Sequence, residues 1–199
     1  MMKQILDQIN LAMKRPEKPE KSFICSEDLK RIWADRSAIS TLLHPDKLSP
    51  DQIDSIQSRM IIILSILISI GAKEFLTNFH NIFFDHQLGV PLWTDDDIPF
   101  PMDQLTFFDR GSALSQLFYT RQFRFKPVVI YITRKQRTQL IENHMERLPF
   151  VYRETDIGEG SYGRVDHVEI PPRYIEDETG LVWDRVSAIF NENWRLTLL

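Results

Sequence analysis

The sequence has a single cysteine, Cys25, among its 199 residues. One thiol excludes a disulfide within the chain and a zinc site built from several cysteines, so we expect Cys25 to be buried and inert. An excess of basic residues is also absent. The formal net charge is −4, whereas nucleic-acid binding usually requires a basic face, so nucleic acid is not an expected partner.

Long apolar runs are missing as well. The most apolar segment is 60–70, and a helix that crosses a bilayer needs about 20 apolar residues. Arg59 and Lys73 lie close to its two ends. We therefore interpret 60–70 as the centre of a buried helical domain and expect no membrane partner. The N-terminus lacks the apolar core of a signal peptide, so an intracellular location, cytoplasmic or nuclear, is expected.

Helical patterns fill the first part of the chain. A short helix is predicted within 1–15, and the proline-containing segment 16–21 is predicted to be a solvated linker. A second helix is predicted from Ser26, because acidic residues follow in its first turn. Its apolar side would consist of Leu29, Ile32, Trp33, Ile39 and Leu43.

Ser49 marks the clearest helix start. Serine at the N-cap, Pro50 at the first helical position and Gln52 two residues later form a capping-box pattern. Apolar residues then recur at three- and four-residue spacing as far as Ile70, which predicts one helix about 30 Å long. Gly71 is its natural end. The apolar residues of 75–83 are predicted to form a partner face.

Two features follow this helical pattern. The three carboxylates of 95–97 are adjacent in sequence, whereas a calcium loop places its ligands at alternate positions and includes a glycine. We interpret them as an acidic surface loop or a helix cap. Leu114, Leu117 and Phe118 predict another short helix.

A β pattern begins near Pro127. The segment 127–133 predicts a strand, and β-branched residues predict two further strands at 148–157 and 165–170. We place the boundary between the helical and the β regions between about 135 and 147. The predicted fold class is therefore α+β, a mostly helical N-terminal region followed by a β-hairpin.

The turn of that hairpin carries the pattern G-x-G-x-x-G-x-V, formed by Gly158, Gly160, Gly163 and Val165. Glycines allow a backbone to approach a phosphate closely. The pattern occurs in a strand-turn-helix that binds dinucleotides and in a strand-turn-strand that covers ATP. Strands on both sides, with the double proline 171–172 after them, favour the second setting. The alternative is a plain glycine-rich hairpin.

This segment resembles the start of the small lobe of eukaryotic serine/threonine protein kinases. The longer stretch 25–170 resembles fungal kinase-like proteins with a helical N-terminal extension. We divide the chain into an N-terminal helix and linker at 1–24, a helical extension at 25–146, a kinase-like hairpin at 147–170 and an irregular or truncated tail at 171–199. The matching segments are 31–36, 59–67, 95–100, 147–150 and the glycine motif.

The resemblance implies an ATP site, with magnesium as the accompanying ion. Three glycines would bring backbone amides to the phosphates, Tyr162 would shield them, and Ile157 and Val165 would pack on the adenine. The implied cofactor-binding residues are Ile157, Gly158, Glu159, Gly160, Ser161, Tyr162, Gly163 and Val165.

The residues that perform phosphoryl transfer in kinases are missing from the sequence. No lysine occurs after Lys135, and neither a His-Arg-Asp nor an Asp-Phe-Gly motif is present. Arg185 lies at a conceivable distance for the missing lysine, but its bulky planar guanidinium does not simply replace a compact ammonium. No third strand is expected after Pro171, and 179–199 is interpreted as a short amphipathic helix or a truncated tail. We expect an incomplete fragment without catalytic activity that binds ATP weakly or not at all.

Two other functions remain open. The helical region could be a non-catalytic module that binds a protein partner, with a vestigial kinase hairpin. His44-Pro45-Asp46, between two predicted helices, resembles the tripeptide of J-domain co-chaperones, although the preceding helix lacks a basic face. His80 and His86 are six residues apart, which is not the spacing of two ligands on one helix face, so no metal site is expected there.

Overall fold

The computed structural model describes residues 1–14, 22–43, 48–109, 111–132, 138–140, 145–160, 163–171, 174–177, 186–190 and 195–198. Two compact units are present. The helical unit comprises Met1–Met13 and Ile24–Lys126, and the strand unit comprises Lys14–Phe23 and Pro127–Leu199. The α+β fold class is therefore confirmed.

The helical unit contains eight described α-helices and two short 3-10 turns, at Asp95–Asp97 and Met102–Gln104. The helices predicted within 1–15 and around Leu114 are both present. The helix bounds are α1 Met2–Ala12, α2 Ser26–Ile32, α3 Arg36–Leu42, α4 Pro50–Arg59, α5 Ile61–Ser69, α6 Lys73–Thr77, α7 Phe79–Phe83 and α8 Ala113–Phe125.

Helix α5 lies at the centre of the helical unit. Seven of its nine residues are buried, and it contacts α1, α2, α4, α6 and α8. Ser65, fully buried on α5, accepts a hydrogen bond from Trp33 Nε1 (2.8 Å) and donates one to Ile61 O (2.6 Å). Buried polar groups need such partners. The prediction that the apolar run is the buried centre of a helical domain is confirmed.

The single 30 Å helix predicted from Pro50 to Ile70 is wrong. The chain bends by 80° between α4 and α5, where Met60 leaves the helical conformation with φ −137° and ψ 14°. The apolar spacing continues across the bend because Ile56 and Met60 are both buried. Periodicity records which residues are buried and does not record whether their helix axis is straight.

The predicted helix from Ser26 is likewise divided in two. Helix α2 ends at Ile32, and Asp35 caps α3 by accepting a hydrogen bond from Ser37 N at 2.8 Å. The apolar residues Trp33 and Ile39 are both fully buried, so they predicted the buried face correctly. The cap at Asp35 begins a new helix, so the two helices are separate.

The strand unit holds two described sheets. Strands β1 and β5 pair in parallel, and five further strands form an antiparallel sheet in the order β2-β7-β6-β4-β3. Strand bounds are β1 Ile130–Ile132, β2 Thr138–Leu140, β3 Tyr152–Gly160, β4 Gly163–Glu169, β5 Ile175–Asp177, β6 Val186–Phe190 and β7 Arg195–Leu198.

The structure corrects the domain boundary and the tail. Strand β1 belongs with the strand unit because it pairs with β5, so the helical unit ends at Lys126 and not between 135 and 147. The segment predicted to be an amphipathic helix or irregular tail contains β6 and β7. The run Val186–Phe190 is rich in β-branched and aromatic residues, which favour strands.

Within the described part of the chain, no single helix combines the length and the apolarity required to cross a bilayer. Only α4 and α5 taken together reach that length and composition, and they are bent by 80°.

The cap of α4 provides a test of the helical unit. Ser49 Oγ accepts a hydrogen bond from Gln52 N at 3.2 Å, and Gln52 Oε1 accepts one from Ser49 N at 2.9 Å. We expect Ser49→Ala to lower the free energy of unfolding by about 1 kcal/mol, because the amide of Gln52 loses its side-chain acceptor. Urea denaturation followed by circular dichroism measures this change.

The matched control is Ser58→Ala, on the exposed face of the same helix. Its hydroxyl bonds only to the backbone of its own helix, at Asp54 O, so the substitution should change stability by less than about 0.5 kcal/mol. Equal losses in the two variants would contradict the assigned role of the Ser49 cap.

Candidate functional site

The glycine motif forms the closed end of an antiparallel hairpin. Gly160 ends β3, Gly163 begins β4, and the two are paired in register, as are Gly158 and Val165. Ser161 and Tyr162, the two connecting residues, lie outside the described residues. The predicted strands on both sides of the glycines are thus present, and no helix begins at Gly163.

The hairpin is irregular near its middle. Glu154 pairs with His167 and Gly158 pairs with Val165, so three residues of β3 stand opposite one residue of β4. Ile157, one of the predicted site residues, lies in this bulge. Extra residues in one strand bend it and increase its local twist. The glycine end of β3 therefore follows a break in the regular pairing of the hairpin.

A third strand lies beside the hairpin, against expectation. β6 pairs antiparallel with β4, with Val165 opposite Ile189 and Arg164 opposite Phe190. This strand was not predicted, because 179–199 was interpreted as a short amphipathic helix or a truncated tail. The residues of β6 are Val-Ser-Ala-Ile-Phe, so no position of this strand holds a lysine. Arg185 lies outside the described residues.

The charges at the glycine end are few. Glu159 and Arg164 are partners in the backbone register of β3 with β4. Among the six described strand residues nearest the turn, 158–160 and 163–165, Arg164 is the one of a cationic type. Across the described residues, no group of three or more His, Cys, Asp or Glu is placed to hold a metal ion.

The tripeptide His44-Pro45-Asp46 lies outside the described residues. The helices before and after it are described, α3 ending at Leu42 and α4 beginning at Pro50. Its predicted place between two helices is therefore confirmed, and its function as a co-chaperone loop stays a prediction.

The helical unit contains a polar centre that the sequence analysis did not find. The carboxylate of Asp95 accepts hydrogen bonds from the amides of Ile62 and Ile63, with all three N–O distances at 3.0 Å. These amides belong to the first turn of α5, whose own N-cap residue Met60 provides no side-chain acceptor. Asp95 therefore caps α5 from more than 30 residues away in sequence.

Burial governs the ionisation of this centre. Burial raises the pKa of Asp95 to about 7, opposed by the two amides and by the charge of Lys126. Lys126 Nζ donates to the carbonyl oxygens of Asp95 and Asp96 at 3.0 and 3.1 Å. Burial also lowers the pKa of Lys126, opposed by the nearby aspartates. Perturbed groups often mark functional sites, but every polar contact here fixes the start of α5.

The helix cap predicted at 95–97 is also present locally, at the start of the 3-10 turn Asp95–Asp97. Asp97 Oδ2 accepts from Thr94 N at 2.7 Å, which closes a capping box over the 3-10 turn. The sequence could predict that local cap because its residues lie within four positions of one another. The contact of Asp95 with α5 left no local signal, because its partners are distant in sequence.

The raised pKa of Asp95 predicts a pH dependence of stability. Between about pH 4 and about pH 7 the folded chain holds a proton at Asp95 that the unfolded chain has lost, so this group makes folding less favourable as pH rises. The effect is a few kcal/mol at most, at ~1.4 kcal/mol per pKa unit. Asp95→Asn cannot ionise and should lack this contribution.

The measurement is urea denaturation of both proteins at several pH values from 4 to 8, with Asp103→Asn, an exposed aspartate of the same unit, as control. The stability of Asp95→Asn relative to the wild type should improve with rising pH, and the control should not show this trend. Parallel curves for the wild type and Asp95→Asn would refute a protonated Asp95 in the folded chain.

Comparison of the chain with protein-family models, with curated proteins and with solved structures found no match.

Proposed function

We propose that the strand unit presents a kinase-type glycine flap that lies over the phosphates of ATP, in a chain that does not itself transfer phosphate. One observation carries this proposal. The pattern G-x-G-x-x-G-x-V spans the turn of an antiparallel hairpin, and a third antiparallel strand supports the hairpin on the far side of β4. Protein kinases place their glycine loop between strands in this manner.

The strand that follows the glycines favours ATP over a dinucleotide. A dinucleotide fold places the pyrophosphate at the N-terminus of a helix that begins at the motif. In this chain β4 begins at Gly163 and continues to Glu169. A phosphate bound at this turn would contact backbone amides of the hairpin, which glycines leave accessible because they carry no side chain.

The resemblance to kinases assigns roles to the motif. Gly158, Gly160 and Gly163 bring the backbone near the phosphates, and Tyr162 shields them from water. Ile157 and Val165 pack on the adenine. When bound, magnesium supplies positive charge to the phosphate oxygens. The remaining contacts are made by the hairpin backbone.

The same strands argue against catalysis. Phosphoryl transfer requires a lysine on the third strand, a catalytic aspartate and magnesium ligands. The third strand β6 has none of these residue types, and the sequence contains no His-Arg-Asp or Asp-Phe-Gly motif. Acidic residues also outnumber basic ones over 142–199, which disfavours a polyanion. Binding is therefore weak and turnover absent.

A thermal-shift titration with magnesium-ATP tests the proposed binding. A ligand that binds only the folded chain at ten times its Kd stabilises it by about 1.4 kcal/mol, which raises the melting temperature by roughly 3 °C for a chain of this size. AMP, which lacks the β and γ phosphates, should give a smaller shift. Gly160→Val should abolish the ATP-dependent shift, because a branched side chain blocks close approach of the backbone.

The matched control is Glu169→Gln, an exposed position at the opposite end of β4. It should retain the full ATP-dependent shift. Each protein is compared with its own melting temperature without nucleotide, so a general loss of stability does not imitate a loss of binding. A wild-type chain without any shift, or a Gly160→Val variant with an unchanged shift, would contradict the flap.

Phosphoryl transfer is tested separately. With magnesium-ATP and a mixture of serine- and threonine-containing peptides, the wild-type chain should release no ADP above the rate of the Gly160→Val variant. The physical reason is that no residue of β6 neutralises the phosphates and no aspartate motif activates the acceptor hydroxyl. Turnover that requires Gly160 would show that the chain is a catalyst.

A second candidate function is the binding of a protein partner by the helical unit. It is favoured by a group of large apolar residues that remain exposed in one ordered turn, namely Leu88 (73% exposed), Val90 (50%) and Leu92 (49%). This function requires no nucleotide and predicts no ATP-dependent shift, so the titration above distinguishes the two candidates.

A further inference from the structure

Two histidines that are separated in sequence come together in the helical unit. His80 lies on α7 and His86 lies in the turn that follows, and their ring centres are 5.7 Å apart with the planes at 60°. His80 is half-buried and His86 is exposed. A spacing of six residues does not place two side chains on one helix face, and it is the reversal of the chain after Phe84 that brings the rings together.

The separation of the rings suits a shared metal ion. In a tetrahedral site each ligating imidazole nitrogen lies about 2.0–2.1 Å from the metal, so two ring centres lie about 5 Å apart. The observed 5.7 Å between the ring centres is close to that separation. Imidazole nitrogen is a preferred ligand of zinc, copper(II) and nickel(II), whereas magnesium prefers oxygen.

The surroundings of His80 orient its ring. The ring stacks on Phe84 at a centre-to-centre distance of 5.8 Å and an angle of 12°. Its Nδ1 lies 3.4 Å from Asn81 Oδ1, and a ring N–H that donates to this oxygen leaves Nε2 as the free acceptor. Ligating histidines in metal sites commonly donate their second ring nitrogen to an oxygen in this manner.

Hydrogen bonds to Asp85 hold the turn that carries His86. Asp85 Oδ1 accepts hydrogen bonds from Gln87 N and Leu88 N, both at 2.8 Å. Gly89 N donates to Asp85 O at 2.8 Å, and Gly89 adopts the positive φ of 66° that glycine tolerates.

We propose that His80 and His86 together bind one late first-row transition-metal ion per chain, of the class of copper(II), nickel(II) or zinc, with water completing its coordination. The site is independent of the glycine hairpin and of ATP. Copper(II) should bind most tightly, because the affinity of nitrogen ligands rises from nickel(II) to copper(II) and falls again at zinc. Magnesium should not bind.

The test uses the full chain without a histidine tag and titrates it with copper(II) against a chromophoric chelator. We expect one copper per chain and an electron paramagnetic resonance spectrum with two nitrogen ligands. His86→Gln and His80→Phe should each weaken binding by at least roughly tenfold, since loss of even an outer-sphere partner has that effect. His80→Phe retains an aromatic ring against Phe84, and melting curves in chelator verify that both variants fold.

The control is His144→Gln, which removes a histidine outside the pair and should leave the affinity unchanged. Asn81→Ala should weaken binding by roughly tenfold, because His80 loses the oxygen that orients it. The proposal is overturned if His86→Gln binds copper as the wild type does, if the spectrum shows one nitrogen ligand, or if one ion is shared by two chains. None of these results bears on ATP binding, which is measured without transition metals.

Discussion

The helical unit depends on the contact between Asp95 and the first turn of α5. Helix α5 is almost entirely buried, so its leading amides cannot be satisfied by water. Asp95 supplies the acceptor for two of them, and a buried amide without a partner would cost about 1–3 kcal/mol. The bend at Met60 is possible for the same reason. A continuous helix would satisfy these amides internally, whereas a bent one needs an external acceptor.

The backbone of the segment that carries Asp95 is itself held by the end of α8. Lys126, the residue that follows α8, donates to the carbonyl oxygens of Asp95 and Asp96. Gln122, one turn earlier and fully buried, exchanges two hydrogen bonds with the backbone of Phe100. The segment between α7 and α8 is thus attached to α8 at two points, and Asp95 is presented to α5 by that attachment.

Much of the fold was readable from local patterns, and the errors have a common origin. The Ser49 capping box, the buried run of α5 and the strands around the glycines were predicted because each signal lies within a few residues of the element it defines. The bend at Met60, the cap by Asp95 and the pairing of His80 with His86 depend on partners elsewhere in the chain. Strand β6 was missed because 179–199 was interpreted as a short amphipathic helix or a truncated tail, although Val186–Phe190 is rich in residues that favour strands.

Strand β6 shows that the fold of the strand unit does not depend on the residues that phosphoryl transfer would need. Pairing of β6 with β4 uses backbone groups, which every residue except proline provides, so the strand forms whether or not it carries a lysine. Neutralisation of a triphosphate needs a cation, and near the glycine turn the described strands provide one cationic residue, Arg164, which is paired in register with Glu159. The charge on a bound nucleotide would therefore be balanced mainly by its magnesium ion and by backbone amides. If the chain binds ATP as proposed, the contact would therefore rest on backbone amides of the glycine turn and not on side-chain charge.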